Sequence, residues 1–267
     1  MQIDHILPER LLRSPIRVLV VGCGGNGSAI VTQLPYLHQA LKAWGHPRGL
    51  DVAVMDGDTV SRTNCVRQPF SAGDIGQNKA EILIRRINLF WRLNWRAKAE
   101  FFSKDALLPH NARCDILIGA VDTRKARVAI EAAVTRQVDG TRYWLDLGNS
   151  AASGQFILGQ PRNDANPQKK ERLRTVSELF PEIVDISDGE DPLPSCSAAE
   201  ALDRQEPFIN QTLASSALAM LSRLFRVGRI NYHGGFFSAA SGRIAPLPVD
   251  PERWTKLRTR NRKSIAI

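Results

Sequence analysis

No stretch of the 267-residue chain reaches the roughly 18 consecutive apolar residues that a membrane-crossing helix needs. The N-terminus, Met1-Gln2-Ile3-Asp4-His5, lacks the basic and apolar regions of a secretory leader. A soluble, cytoplasmic protein with no membrane partner is therefore expected. Cysteine is scarce. Cys23, Cys65, Cys114 and Cys196 lie far apart, and no C-x-x-C pair occurs. That spacing gives no support to a zinc site, so no zinc is expected. Disulfides are rare in a cytoplasmic chain, and the ordinary reading of each cysteine is a small, partly buried thiol. Internal repeats are also lacking.

What is there suffices for a packed core: 43% of the residues are hydrophobic. The length suits one large α/β domain or two small ones. The net charge of +9 favours acidic partners such as phosphates or an acidic protein, and leaves nucleic acid open. Much of the excess lies at the end of the chain, in Arg253, Lys256, Arg258, Arg260, Arg262 and Lys263. Residues 249–267 read as a basic, solvated tail.

Strands are expected at 16–22, 51–56, 97–102, 114–120, 142–147 and 153–159, and helices at 26–43, 77–94, 123–137 and 207–226. Strand-like stretches follow at 229–238 and 243–247. The alternation through the first 150 residues argues for a mainly parallel sheet covered on both faces. Val18–Val21 and Ile116–Val121 are almost wholly apolar, as central parallel strands are. The expected fold class is therefore α/β: a Rossmann-like, doubly wound, mainly parallel sheet in the first half, with antiparallel strands in the second. We expect one domain over 1–248, its nucleotide-binding half at 15–150 and its C-terminal helix and strands at 197–248. Between them, 160–196 is rich in Asn, Lys and Arg, then in acidic residues, then in Pro. It reads as a polar, mobile segment, and long loops of this kind are often functional.

The strand Ile16–Val21 runs straight into Gly22-Cys23-Gly24-Gly25-Asn26-Gly27. Glycines let backbone approach a phosphate closely, and the following helix offers free N–H groups and a partial positive charge. Gly22, Gly24, Gly25 and Gly27 are thus candidate binding residues. Asp56 ends the next strand, where an acidic residue accepts hydrogen bonds from ribose hydroxyls. It lies further past Gly27 than the about 20 residues of the usual fingerprint, because a turn-rich stretch from Trp44 to Gly49 lengthens the connection. Asp58, Asn64, Arg67, Gln68 and Lys79 follow. The pyrophosphate of NAD can rest on helix N–H groups alone. A triphosphate that loses pyrophosphate needs fixed cations, which Arg67 and Lys79 supply. Asn64 and Gln68 add neutral donors. Asp122 follows the apolar strand 116–121 directly and sits at the carboxyl edge of the sheet. A carboxylate there suits Mg²⁺ bridging phosphate oxygens, or it caps the next helix.

These residues, from about Arg17 to Gly154, resemble the ThiF/MoeB/HesA superfamily of ubiquitin-activating-type adenylating enzymes. The family pattern is a G-x-G-G-x-G turn, a D-x-D strand end, an N-x-x-R-Q segment, a D-I-G-x-x-K-A segment and a later Asp. Here these are Gly22 to Gly27, Asp56 and Asp58, Asn64 with Arg67 and Gln68, Asp74 to Ala80, and Asp122. The stretches Gly148-Asn149-Ser150 and Gly154-Gln155 also look like the family. Pro194-Ser195-Cys196-Ser197 and Phe208-Ile209-Asn210-Gln211 are similar to the ThiF-like members of bacterial PRTRC systems.

The resemblance implies binding of ATP and Mg²⁺ and adenylation of the C-terminal carboxylate of a ubiquitin-like protein. It implies a homodimer and a downstream conjugating or sulfur-transfer partner. Asp56 would hold the ribose, Asn64, Arg67 and Lys79 the phosphates, and Asp122 the Mg²⁺. Segment 160–196 would be the crossover loop. Cys196 is the candidate for thioester formation, although the acidic residues upstream would raise its pKa. Three features depart from the pattern. The N-terminal Arg-Tyr-x-Arg-Gln stretch, which supplies an arginine across the dimer, is replaced by Glu9-Arg10-Leu11-Leu12-Arg13. Paired C-x-x-C motifs are absent. Cys65 stands where leucine is usual. Two other functions fit parts of the pattern. An NAD-dependent oxidoreductase would use the glycine turn and Asp56. A non-catalytic nucleotide-binding scaffold in a plasmid or mobile-element system would use the site without turnover.

Overall fold

The structure is a computed structural model that describes residues 3–104, 114–136, 140–187 and 206–257. Its centre is an eight-stranded sheet in the order β10-β9-β7-β6-β5-β2-β3-β4. The strands are β2 (Ile16–Val21), β3 (Leu50–Met55), β4 (Arg96–Lys98), β5 (Ile116–Gly119), β6 (Tyr143–Asn149), β7 (Ser153–Gly159), β9 (Tyr232–Ser238) and β10 (Arg243–Pro248). Neighbours from β6 through β5, β2 and β3 to β4 are parallel, whereas β7, β9 and β10 join antiparallel. The fold is thus the Rossmann-like α/β arrangement expected, parallel in the first half and antiparallel in the second.

The apolar strands occupy the centre. All four residues of β5 are buried, as are five of the six in β2. From β2 the chain moves outward through helix α2 (Gly25–Ala43) to β3 and through α3 (Lys79–Trp91) to β4, then returns to place β5 on the other side of β2. Right-handed crossovers put α4 (Arg124–Val134), between β5 and β6, on the opposite face from α2 and α3. Helix α6 (Ile209–Val227) packs along α2. The reversal of direction between β2 and β5 opens a crevice at their carboxyl ends, where ligands bind in such sheets. Among the described residues no helix is long and apolar enough to cross a membrane.

Several elements differ from expectation for local reasons. Helix α3 begins two residues late, because Asn78 caps it by accepting from Glu81 N–H at 3.1 Å. It ends at Trp91, with Arg92 in the left-handed region at φ 54°. The expected strand 229–238 is two strands. The first, β8 (Arg229–Ile230), pairs with β1 (His5–Ile6) in a separate two-stranded sheet. Short helix α1 (Arg10–Arg13) follows β1.

The largest correction concerns the polar segment after β7. Much of residues 160–180 is packed, whereas 188–196 lies outside the described residues. Asn163 Nδ2 donates to the Val134 and Thr141 carbonyls at 2.8 and 2.9 Å, and Asn166 Nδ2 to Thr141 and Pro161 at 3.1 and 3.0 Å. Arg172, 3% exposed, binds Glu178 at 2.6 Å ahead of helix α5 (Val176–Leu179), in which Leu179 is fully buried. The polar side chains satisfy backbone carbonyls that would otherwise be buried without partners. The tail also begins inside the fold: residues 251–257 are helical, and Trp254 packs edge-on against His233 at 5.1 Å between centroids.

His233 is wholly buried, donates from Nδ1 to the Leu158 carbonyl at 2.7 Å, and has Nε2 without a partner. Burial lowers the pKa of both His233 and His5, each from 6.5 to about 4. Unfolding therefore takes up protons between these values, so stability present above pH 6.5 is lost as pH falls towards 4. Glu178 extends the effect. Burial would raise its carboxyl, but the Arg172 bond, the Thr175 N–H and Arg162 outweigh burial and hold it at about 2, so its contribution is lost from pH 4.5 downwards. A fully neutral His233 accounts for roughly 3 kcal/mol of the pH-dependent loss. Urea melts between pH 7 and 4 should show a falling midpoint, and His233→Asn, which keeps a donor for Leu158, should flatten that fall. An unchanged slope in the variant would assign the acid sensitivity elsewhere.

Candidate functional site at the carboxyl edge of the sheet

The glycine turn lies at the crevice between β2 and β5. Gly22 has φ +94°, and a Cβ there would stand 2.6 Å from the Ala120 carbonyl oxygen. Only glycine lets the end of β2 lie this close to the end of β5. Gly25 and Gly27 are also closely packed: a Cβ on Gly25 would enter the Asn210 side chain, and one on Gly27 would strike the Gly22 carbonyl. Gly24 is different. A Cβ there would meet nothing within 4 Å. Gly24 is the N-cap of α2, and no side chain caps the helix. Among the described residues the first turn of α2 therefore leaves N–H groups without a side-chain acceptor beside Gly24, the arrangement that binds an anion.

Asp56 follows β3 at the next position along the edge. Its Oδ2 accepts from Cys23 N–H and its Oδ1 from Asp58 N–H at 2.7 Å. The carboxylate is only 8% exposed. Burial raises its pKa, while these two N–H groups and Lys79 act against that. Each oxygen has a second lone pair, so the group can still accept from two hydroxyls.

Residues 57–78 fold back on themselves and bring Lys79 to Asp58. Val60 N–H bonds the Gln77 carbonyl at 2.8 Å, Gly76 N–H the Val60 carbonyl at 2.9 Å, and Lys79 N–H the Asp58 carbonyl at 3.0 Å. Lys79 Nζ then reaches Asp58 Oδ2 at 2.9 Å, with side-chain exposures of 8% for the lysine and 55% for the aspartate. Asn78, which the sequence reading passed over, ties this loop to β3 by donating to the Asp56 carbonyl at 2.8 Å. Its signal was available: an Asn before an apolar helix with Glu81 three residues on.

Asn64 serves the loop. It accepts from Ser61 N–H at 2.9 Å and closes a capping box on the 3₁₀ turn Arg62–Val66. Arg67 follows that turn, half-buried, and burial lowers its pKa without discharging it. Gln68 Oε1 is buried with no hydrogen-bond partner. Asp74 is structural: Arg86 bonds both its oxygens at 2.7 and 2.6 Å, and Ser71 N–H donates to it at 2.7 Å.

Asp122 is exposed just beyond β5. Thr123, not Asp122, caps α4, accepting from Ala126 N–H at 3.2 Å. Asp122 is therefore not committed to the helix. Among the described residues no group of three or more His, Cys, Asp or Glu could hold a metal. A cation at Asp122 would have to complete its shell with oxygens from a ligand and water.

On the β6 side asparagines from three of the family-like stretches lie close to the glycine turn. Asn26 donates to Asn149 Oδ1 at 2.9 Å, linking the glycine turn to the end of β6. Asn26 Oδ1 is buried without a partner, and Asn210 from α6 lies over Gly25. Beneath them Arg127 reaches Asp146 at 3.3 Å, inside the fold. Burial raises the Asp146 carboxyl, against the pull of Arg127.

The cysteines divide by environment. Cys23 is buried, and burial followed by nearby Asp56 pushes its thiol well up, which makes it inert. Cys114 is also buried, and Cys65 is half-buried with Sγ 3.7 Å from the Ser61 carbonyl. Cys196 lies outside the described residues. The N-terminal arginines are at the other end of the sheet. Arg10 and Arg17 both bind Asp115, at 2.8 and 3.1 Å, just before β5 begins. Arg13 pairs with Glu9. Within one chain, Arg10 and Arg13 do not reach the glycine turn.

No curated protein matches the chain by sequence. Among solved structures it is similar to PaaA, with a TM-score of 0.57 at 15% identity, covering 88% of this chain and 64% of that one. It is also similar to E. coli MccB crystallised with MccA-N7isoASN, with a TM-score of 0.57 at 17% identity and the same coverage. A third similar structure is E. coli MccB with AMPCPP and MccA, with a TM-score of 0.54 at 16% identity, again covering 88% and 64%. These likenesses concern the fold, and the chain spans 64% of the length of each. The sequence profile of the ThiF family matches residues 3–251, and with nearly its whole length accounted for in this way the chain belongs to the ThiF family.

Proposed function

We propose that this protein uses ATP to adenylate a carboxylate, specifically the C-terminal carboxylate of a ubiquitin-like protein. The observation that carries the reading is Lys79, a cation with its side chain 8% exposed, brought beside the ribose-accepting Asp56 and the uncapped start of α2. A dinucleotide would leave such a cation unused. A triphosphate uses it, because negative charge builds on the departing pyrophosphate. Among the described residues nothing crowds a Cβ position on Gly24, and Gln68 contributes a buried polar group without a partner. Family membership and the fold shared with MccB, whose structures include MccA and AMPCPP, support the same reading.

In this reaction a carboxylate oxygen attacks the α-phosphorus, the bond to the bridging oxygen breaks, and pyrophosphate leaves. The α2 N-terminus receives phosphate oxygens, and Asp56 accepts from the ribose hydroxyls. Arg67 and Lys79 stabilise the charge passing to pyrophosphate, with Asn64 and Gln68 beside them. Asp58 keeps Lys79 in place before the nucleotide arrives, and then shares it. Asp122 is the residue that would hold Mg²⁺, whose charge would offset that of the phosphates. The segment from 160 covers the incoming tail. The Cys196 thiolate then attacks the acyl carbon, the bond to the phosphate oxygen breaks and AMP leaves, which gives a thioester for a conjugating or sulfur-transfer partner in a PRTRC-type setting. A homodimer supplies the arginine that Arg10 and Arg13 do not bring to their own site.

ATP–pyrophosphate exchange, with and without a small ubiquitin-like protein encoded alongside, tests the reading. Exchange should depend on that protein. Arg67→Ala and Lys79→Ala should each lower it by about a hundredfold or more, in line with the loss of a fixed charge at a developing anion. Lys79→Met, which keeps the buried stem and removes only the charge, should lose exchange in the same way while thermal unfolding changes little, since the partner Asp58 is 55% exposed. Full exchange in any of these variants removes that residue from the mechanism. Intact ATP binding with no exchange under any condition favours the non-catalytic scaffold. Cys196→Ala should retain exchange and lose a DTT-sensitive adduct. An adduct that persists moves the nucleophile to another residue, with Cys65 the next to examine.

A further inference from the structure

The segment after β4 holds an aromatic ring in an unusual setting. Phe101 is 72% exposed, yet its ring lies against the backbone of Gly57, the residue after Asp56. A Cβ on Gly57 would stand 2.7, 2.6 and 2.7 Å from Cγ, Cδ2 and Cε2 of that ring. Near-equal distances to three consecutive ring carbons place Gly57 under the face of the ring, not at its edge. One face is therefore seated on the glycine, and the exposure belongs to the rest of the ring. The segment is fixed from both sides. Phe102 packs against the core, and Asp56 N–H bonds the Lys98 carbonyl at 3.1 Å, joining β3 to β4.

The position relative to the candidate site gives this ring a use. A nucleotide with its phosphates over α2 and its ribose on Asp56 runs outward along the sheet edge, from β2 across β3. Its base then arrives on the β4 side, beside residues 99–104. We propose that Phe101 is the platform on which the purine base stacks, and that Gly57 is glycine so that the ring can lie flat. The proposal rests on the nucleotide reading and adds the residue that recognises the base. Stacking uses the face of a base and not its edge, so Phe101 supplies affinity for purines without separating adenine from guanine.

Equilibrium binding of ATP, GTP and inorganic tripolyphosphate to the full chain tests it. Phe101→Ala should weaken ATP and GTP alike by about tenfold or more, the range for loss of one base–aromatic stack. Tripolyphosphate, which has no base, should bind as before. Phe101→Trp should restore nucleotide binding, and Gly57→Ala, which pushes the ring off its seat, should reproduce the loss. Unchanged nucleotide binding in Phe101→Ala overturns the proposal, as does an equal loss for tripolyphosphate, which would mean a structural role only. Failure of the unaltered protein to bind ATP overturns the nucleotide reading itself, and the platform with it.

Discussion

The structure depends on the approach of Gly22 to Ala120. Two strands that carry the chain in opposite directions across the sheet meet there, with room for no side chain. The contact lets β2 and β5 be neighbours to their ends. It also sets the pitch of α2 and so the direction of its uncapped N–H groups. Asp56 is held to the same turn through the Cys23 amide, so the turn, the acidic residue and the helix dipole form one rigid unit. Any side chain at 22 would part β2 from β5 and disperse the groups that surround the crevice.

Around this unit the polar parts are arranged by charge and by backbone geometry in different ways. On the β3 side a loop of backbone bonds carries Lys79 to Asp58, and the cation sits in place before any ligand arrives. Such preorganisation spares the cost of gathering charge during reaction. On the β6 side neutral asparagines bridge the turn, β6 and α6. The two sides suit different halves of the proposed chemistry: phosphate on the charged side, an acyl tail on the neutral one.

The central strands were legible in the sequence because β2 and β5 are buried on both faces and read as apolar runs, whereas β1 gave no signal and β4 is Arg96–Lys98 in place of the expected 97–102. The glycine turn, Asp56 and Asp122 were legible because their places follow from where a parallel strand ends. Other features were not. Asn163, Asn166 and Arg172 are composed like a solvated loop, and only the carbonyls of Val134, Thr141 and Gln160 reveal that they are buried. Asn26 and Asn149 meet across more than a hundred residues of chain, so no local pattern announces their contact. Asn64 has the right type at the right spacing for a ligand, yet its oxygen accepts from Ser61 N–H. Phe101 has no signal at all without its neighbour Gly57.

The outermost strand on the antiparallel side has a consequence for how copies of the chain coexist. Among the described residues β10 forms one margin of the sheet, and its first four residues are exposed. Such a margin invites a second molecule to add its own strand and extend the sheet indefinitely. Pro246 and Pro248 each lack the N–H that an added strand would bond, and Arg243 puts a charge at the start of the same margin. The sheet can therefore end at β10 without becoming a seed for aggregation.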